Sequence, residues 1–414
     1  MNQSTLFISY DGLTDPLGSS QIIPYIKIIS NSSEAMHVLS FEKENFFNEY
    51  SYPKTEANSI DLPKNVFLHP LKFTKNLGVF GKIFDLIKMY FLTINIILGN
   101  RINVIHARGH PTALIACSMK AIFLFRKLDY VFDFRGLWVD ERVDKGSWNL
   151  NNSIHLLQFK IFKYFEKVML RKASAIVVLT NSMKEELQRL GFKKKYYEVI
   201  PCCCDFNKFK INSKQRKLKR ALLDIDQKDL LLGYVGSIGS MYRFDKLLTI
   251  FQRIANHKKN VFLLFLTNDP LKAKSLFTEF LPSEVFQKVI IKQAGYSEMP
   301  DYIATLDLSL FFLNHSYARL GTSPTKFAES LATGVPVICN SGIGDLDNHM
   351  ANNPFGLSIS EEYFNNTSDE EFNTLISNIL SIDKFEIRNH AKKIYDLSIA
   401  NERYSRMYKY LRSK

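Results

Sequence analysis

At 414 residues the chain is long enough for two domains of ordinary size, with a sizeable core. It is 46% hydrophobic and 23% charged, a balance that excludes a disordered chain. The formal net charge of +13 calls for an anionic partner: a phosphorylated substrate, a membrane surface or nucleic acid.

The opening "MNQSTLFISYDG" has no charged region ahead of an apolar one, so no secretory signal is expected. Thr5–Tyr10 reads as a strand, followed by a long, mobile loop, "DGLTDPLGSS", and a helix near Gln21–Ser30. His37–Phe41 and Val66–Leu71 are further strands. Val79 to Leu98 is the most apolar stretch, but Lys82, Asp85 and Lys88 on one side make it an amphipathic helix and not a membrane span. Val104–Ala107, Tyr130–Phe134, Ala175–Thr180 and Tyr197–Pro201 continue the strand series. Between the last two, Ser182 and Glu185 have capping-box spacing and open a helix that ends near Gly191. A strongly charged stretch, Asn207–Asp229, marks a domain junction at its start. The pattern then restarts with strands at Leu230–Gly236, Val261–Leu266, Val289–Gly295, Leu308–Leu313 and Val335–Asn340. A basic, Tyr-rich helix around Asn401–Leu411 closes the chain.

Apolar strands alternating with helices predict an α/β fold of two doubly wound, Rossmann-like halves. The expected domains are 1–206 and 207–399, with the terminal helix, 400–414, packing back on the first. Ligands of such sheets bind outside the carboxyl ends of the strands, here in a cleft between the halves. The five cysteines lack Cys-x-x-Cys spacing, which argues against zinc and for free thiols in a reducing cytoplasm. Asp224-Ile-Asp226 and Asp345-Leu-Asp347 are too short as motifs to imply a metal.

The most informative stretch is "GTSPTKFAESLATGVPVI", Gly321 to Ile338. Ser323 suits the N-cap of a helix, Pro324 its first position and Gly334 its end. Lys326 then falls in the first turn, where the helix dipole favours negative charge. A surface pair with Glu329 at i, i+3 is the plain reading and is weak in this order. The functional reading is a phosphate at the helix N-terminus, bound by backbone N–H groups, Lys326 and the hydroxyls of Ser323 and Thr325. Glu329, roughly 4.5 Å further along the axis, is placed to accept bonds from sugar hydroxyls. "GYVGSIGSMYRFDK" offers Gly233, Gly236 and Gly239 at a strand-to-helix turn without dinucleotide spacing. It is either an ordinary tight turn or a phosphate cradle helped by Arg243 and Lys246.

In the first half, Gly12, Gly18 and Ser19 lie in the loop after the first strand. His106, Arg108, His110, Asp133, Arg135, Asp140 and Glu141 follow two apolar strands and are expected along one sheet edge, with Trp138 and Trp148 stacking on a sugar or acceptor. Lys160, Lys163, Lys167 and Arg171 recur at helical spacing opposite a Leu, Ile, Phe and Met face. That stripe is a solvated helix face or an attachment to anionic lipid, with Lys193-Lys194-Lys195 adding charge. No nucleic-acid-binding signature appears.

Taken in order, "SYDGLTDPLGSSQ", "FDFRGLWVDE", "AIVVLTNSMKEEL", "VIPCCCDFNKF", "GYVGSIG" and "SPTKFAESLATGVPVI" resemble the retaining glycosyltransferases of family 4, of the bacterial surface-polysaccharide type. The resemblance implies the GT-B fold, two Rossmann-like domains facing across a cleft, with acceptor on the first and nucleotide sugar on the second. It implies a sugar transfer with retained configuration to a saccharide or lipid-linked acceptor. Glu329 matches the second glutamate of the family's Glu-x7-Glu motif, which typically binds the ribose; the first falls at Gly321. Backbone N–H groups near Thr322 and Ser323 would serve the donor sugar instead. The family's basic diphosphate clamp falls near Ser237 and Tyr242, so Lys326 would replace it, helped by Arg243, Lys246 or Arg319. Gly295 and Tyr296 would complete the donor site. The family's catalytic histidine aligns near Arg135, with Asp133 and His106 around it. No cofactor or metal is expected, nor nucleic acid, and the protein would be cytoplasmic or peripheral on the inner membrane face. The alternatives are a nucleotide-sugar epimerase of the same fold and a catalytically inactive membrane-associated scaffold.

Overall fold

The computed structural model describes residues 4–43, 61–74, 78–193 and 195–413. The chain forms two compact units: residues up to Pro201 together with those from Ser398 onward, and Cys202–Leu397.

The first unit is built on a seven-stranded sheet of β1 (Ser4–Ser9), β2 (Met36–Glu42), β3 (Val66–Lys72), β4 (Ile102–Arg108), β5 (Asp129–Phe134), β6 (Ala175–Val178) and β7 (Tyr197–Val199). Every pairing is parallel, in the order β3-β2-β1-β4-β5-β6-β7. Parallel sheets carry helices on both faces, which explains why β2 is buried along its whole length, polar residues included. The first helices are α1 (Pro16–Gln21), α2 (Ile23–Ser30), α3 (Gly78–Gly99), α4 (His110–Ile122), α5 (Trp138–Asp144), α6 (Ser153–Lys172) and α7 (Asn181–Leu187).

The second unit has a six-stranded sheet of β8 (Leu230–Val235), β9 (Val261–Leu266), β10 (Val289–Lys292), β11 (Leu308–Phe311), β12 (Val337–Asn340) and β13 (Gly356–Ile359). It too is all parallel, in the order β10-β9-β8-β11-β12-β13. Its helices run from α8 (Ser213–Leu222) through α9 (Phe244–His257), α10 (Pro270–Phe280), α11 (Ser283–Phe286) and α12 (Met299–Ile303) to α13 (Thr325–Ala332). They continue with α14 (Leu346–Asn352), α15 (Glu361–Asn366), α16 (Asp369–Leu380) and α17 (Lys384–Tyr395). The last helix, α18 (Leu397–Ser413), returns the chain to the first unit, where Tyr404 and Tyr408 are fully buried. Both sheets are doubly wound. Their strand order reverses between β1 and β4 and between β8 and β11, and these switch points are where such sheets bind ligands.

Several local expectations change. The loop after β1 is not a long mobile turn, because Glu42 clamps it. Its carboxylate accepts from Leu13 N at 2.8 Å and from the Thr14 hydroxyl at 3.3 Å, and α1 starts at Pro16. Gly18 and Gly12 pack back to back: a Cβ on Gly18 would stand 2.2 Å from the Gly12 carbonyl oxygen. The helix near residue 182 is capped by Thr180, whose hydroxyl accepts from Met183 N, so Ser182 lies inside it. Gly191 does end that segment, at φ 99°. β13 has no counterpart among the predicted strands.

Candidate active site

In the second unit the switch point lies between β8 and β11. Lys326, in the first turn of α13, reaches it. Its side chain is buried, and its ammonium has no carboxylate partner; the neighbouring acceptor is the Tyr242 hydroxyl. It lies 4.2 Å from the Tyr234 ring centre, 4.4 Å from Tyr242 and 5.7 Å from Phe311. Cation–π contact and the Tyr242 hydroxyl offset part of the desolvation but supply no counter-charge and do not use all three N–H donors. Burial pushes the Lys326 pKa down, and the Lys326 charge in turn holds the Tyr242 phenol below its ordinary value. Gly236 closes the pocket from β8: at φ 149° it brings bare backbone beside the ammonium, and a Cβ there would stand 2.7 Å from Nζ. Gly233 packs against Leu306, and a Cβ on Gly239 would meet open space.

Glu329, one helical turn after Lys326, is 6% exposed. Burial drives its carboxyl up to about 7, against the pull of Lys326 and Lys208. It makes no ion pair within 4 Å among the described residues, so the expected surface pair with Lys326 is absent. Lys208 stacks 3.8 Å over the ring of Tyr296, which places that predicted donor residue in the same group. An unpaired buried cation, a helix N-terminus and a buried carboxylate thus meet at one strand end. That arrangement suits a ligand with an anionic part and a hydroxyl-bearing part.

Other assignments in this unit change. Ser323 does not cap the helix. Its hydroxyl accepts from Cys202 N at 3.1 Å, and α13 begins at Thr325 with Pro324 at the cap. The Thr322 N–H is taken by the Arg319 carbonyl at 3.0 Å. Arg243 and Lys246 are not donor helpers as placed: Arg243 pairs with Asp245 and Glu361, and Lys246 with Glu361 at 2.8 Å. Arg319 is buried, with Nε donating to the Ser316 hydroxyl, and Gly295 N donates to Glu298. Ser237 contributes its carbonyl to the Tyr234 hydroxyl.

The first unit gathers its charges around Asp133 at the ends of β4 and β5. The strand register sets Arg108 opposite Asp133, with Nη1 3.3 Å from Oδ2. Arg135 approaches the other oxygen at 3.7 Å and donates to Gln21 at 3.2 Å. His106 Nε2 is 3.7 Å away, while its Nδ1 bonds the Tyr408 hydroxyl at 3.0 Å. Burial would raise the Asp133 carboxyl, but Arg135, His106 and Arg108 outweigh it and hold it down to about 2. His110 does not join this group. It bonds Glu166 at 2.8 Å, and Glu166 and Asp140 both bind Lys163, at 2.6 and 2.9 Å. Glu141 pairs with Lys145, and Trp138 packs on His110, Trp148 and Phe162. Ser19 sits in α1, its N–H bonded to Asp15.

Two charge patterns are overturned. Lys163 is not part of a free basic stripe, being held between two carboxylates. In α3 only Lys82 of the three charges is exposed: Asp85 is buried against Thr74 and Lys88, while Phe80, Ile83, Phe84, Ile87 and Phe91 are exposed. Of the three lysines after Phe192, Lys194 lies outside the described residues, and Lys195 bonds the carbonyls of Arg171 and Ala173.

Sequence reasoning gave no role to Tyr234, Lys208 or Gln21, noted Tyr242 only as a position where the family has a cation, and noted the tyrosines of α18 only as composition. Lys208 read as part of a charged junction.

Residues 49–208 match the profile of Glycosyltransferase Family 4. No curated protein matches by sequence. Among solved structures, a sucrose-phosphate synthase from Thermosynechococcus elongatus superposes with a TM-score of 0.71 at 14% identity, covering 100% of both chains. HepE from Anabaena, solved with UDP and glucose, gives 0.68 at 13%, covering 98% of this chain and 99% of its own. WaaG, a glycosyltransferase involved in lipopolysaccharide biosynthesis, gives 0.61 at 16%, covering 96% and 98%. With both sheets doubly wound and residues 49–208 matching the family profile, the chain has the GT-B fold and carries a Glycosyltransferase Family 4 region in its first unit.

Proposed function

We propose that this enzyme moves a sugar from a nucleotide diphosphate sugar to a saccharide or lipid-linked acceptor, with retained configuration, in cell-surface polysaccharide assembly. The observation that carries the donor half is Lys326, a buried ammonium without a carboxylate partner at the strand end beside Gly236. A diphosphate supplies that missing counter-charge. As the sugar leaves, negative charge grows on the diphosphate, and a preorganised cation and helix N-terminus stabilise it where it forms. Glu329 accepts bonds from the ribose hydroxyls. HepE, solved with UDP-glucose, supports a nucleotide sugar as donor. No carboxylate in the Asp133 group is free to act as a nucleophile, since Asp133 is held by two arginines, so departure and attack on one face of the sugar is the favoured course. Arg108, Arg135 and His106 position the acceptor. Side-chain cations neutralise the diphosphate, and no metal is invoked.

A thermal-shift screen against uridine, guanosine and other nucleotide sugars tests this reading. A true donor at about 100 times its dissociation constant adds about 2.7 kcal/mol of stability. Absence of a shift with every nucleotide sugar would remove the donor assignment.

A further inference from the structure

We infer that the second unit binds a small phosphate monoester in a cavity at the amino ends of its strands, the end of the sheet opposite Lys326. The cavity, about 430 Å³, opens where Asp229, Asn260, Asp307 and Pro336 lead into β8, β9, β11 and β12. Doubly wound sheets bind nucleotides at their carboxyl ends, so the donor leaves this cavity without a role.

Its charge is built in two layers. The floor is Asp307, whose oxygens take Arg216 at 2.6 Å, Arg220 at 3.2 Å and the Leu231 N–H at 2.9 Å. Arg220 is fully buried and spends its other donors on the carbonyls of Asp226, Asp229 and Thr305. One carboxylate is thereby committed to two guanidinium groups. Beside it Lys228, Lys258 and Lys384 line the cavity. None of these lysines makes an ion pair or a side-chain hydrogen bond among the described residues. Asp229 is the other acidic residue of the lining, and its carboxylate accepts from Asp226 N at 2.8 Å. The lining therefore holds an excess of cations that the protein does not neutralise. Lys384 shows the result: burial and the two arginines push its pKa down to about 8, against the pull of Asp307.

The rest of the lining suits an organic group. Leu380, Ile382 and Pro336 form an apolar wall, and Gln227 and Asn260 carry amides that bond hydroxyls. A phosphate monoester carries about two negative charges near neutral pH. Its phosphate meets the lysines and supplies their counter-charge, while the carbon skeleton lies on the wall.

The site is joined to the donor helix. A Cβ on Gly334, just past the end of α13, would stand 2.6 Å from the Lys384 carbonyl oxygen. Arg388, one turn along α17, donates to the carbonyl of Ala332, the last residue of α13. A ligand drawn to Lys384 therefore acts on the helix that carries Lys326 and Glu329. That consequence rests on the donor reading; the phosphate site does not.

Calorimetric titration of the full chain tests the site, with glycerol phosphate, ribose phosphate and inorganic phosphate as probes and the free alcohols as controls. At least one monoester should bind more tightly than inorganic phosphate, and the alcohols should not bind. Lys384→Met and the more exposed Lys258→Met should each weaken the ester by roughly tenfold or more, the loss of one hydrogen bond to a charged group. Lys326→Met should bind it as wild type does. The site would be overturned if no phosphate bound, if inorganic phosphate bound as tightly as the esters, if Lys326→Met lost the binding, or if both other variants kept it. With the ester bound, affinity for a nucleotide sugar should change by about fivefold or more, and Lys384→Met should abolish that change. An unchanged affinity would overturn the coupling. A chain that takes the ester but no nucleotide sugar would remove the donor reading and leave the phosphate site in place.

Discussion

The two units hold buried charge in opposite ways. Around Asp133 the carboxylate has Arg108 and Arg135 on its two oxygens and is held down to about 2. Around Lys326 the ammonium has aromatic rings and the Tyr242 hydroxyl but no carboxylate, and burial drives the nearby Glu329 carboxyl up to about 7. Burying an ion is costly unless it is paired. The first group balances its charge within the protein and serves as a fixed frame. The second leaves the Lys326 charge uncompensated, which is what the proposed diphosphate would supply.

Removing the paired carboxylate should have the largest effect. Asp133→Asn leaves two guanidinium groups buried without their counter-charge, a loss of about 3–5 kcal/mol in urea unfolding. Because the folded carboxyl titrates near 2 and its ordinary value is 3.8, the stability it supplies is present above that ordinary value and is lost as pH falls through the folded one. A loss under about 1 kcal/mol would show that the group is not self-compensated, and the contrast between the units would fail.

Lys326→Met makes the opposite demand. Taking away an unpaired buried charge while keeping apolar volume should leave thermal stability equal or higher. Turnover should fall about 10²–10³-fold, the cost of one preorganised electrostatic group. A variant that unfolds would make Lys326 structural; one that transfers sugar at the normal rate would remove it from the donor site.

The pH response of Glu329 gives the smallest and sharpest contrast. Its folded value, about 7, lies above its ordinary 4.5, so the unliganded protein loses stability as pH rises across that interval. Ribose hydroxyls that donate to the carboxylate favour its charged form. The donor-induced thermal shift should therefore be greater at about pH 8 than at about pH 6, and Glu329→Gln should flatten that difference. A wild-type shift independent of pH would separate Glu329 from the donor.

Much of this was legible in the chain. Short apolar runs separated by helices specified two parallel sheets, because a strand buried on both faces needs apolar residues throughout. Lys326 stood out because it contradicts the helix dipole, and Glu329 because of its spacing. Assignments failed where a polar residue had two possible partners. Ser323 has the chemistry of a cap, yet Cys202 N, 121 residues earlier, takes its hydroxyl. Arg243 has the charge of a phosphate helper, yet Glu361 and Asp245 hold it. Lys163 fits a basic stripe, yet two carboxylates draw it inward.

By itself, the sequence determined what depends on period and composition: the strand series, the doubly wound class, the excess positive charge and the position of the misplaced lysine. Those signals are local, carried by residues a few positions apart. Tertiary structure alone decided which buried charges are paired and which way each helix faces. Tyr234 and Tyr242 become a cradle for Lys326 only when β8 lies beside β11, and Asp85 turns inward only because Thr74 and Lys88 meet it there. Partner choice for a polar group is set by distances between residues far apart in the chain, which no short-range pattern encodes.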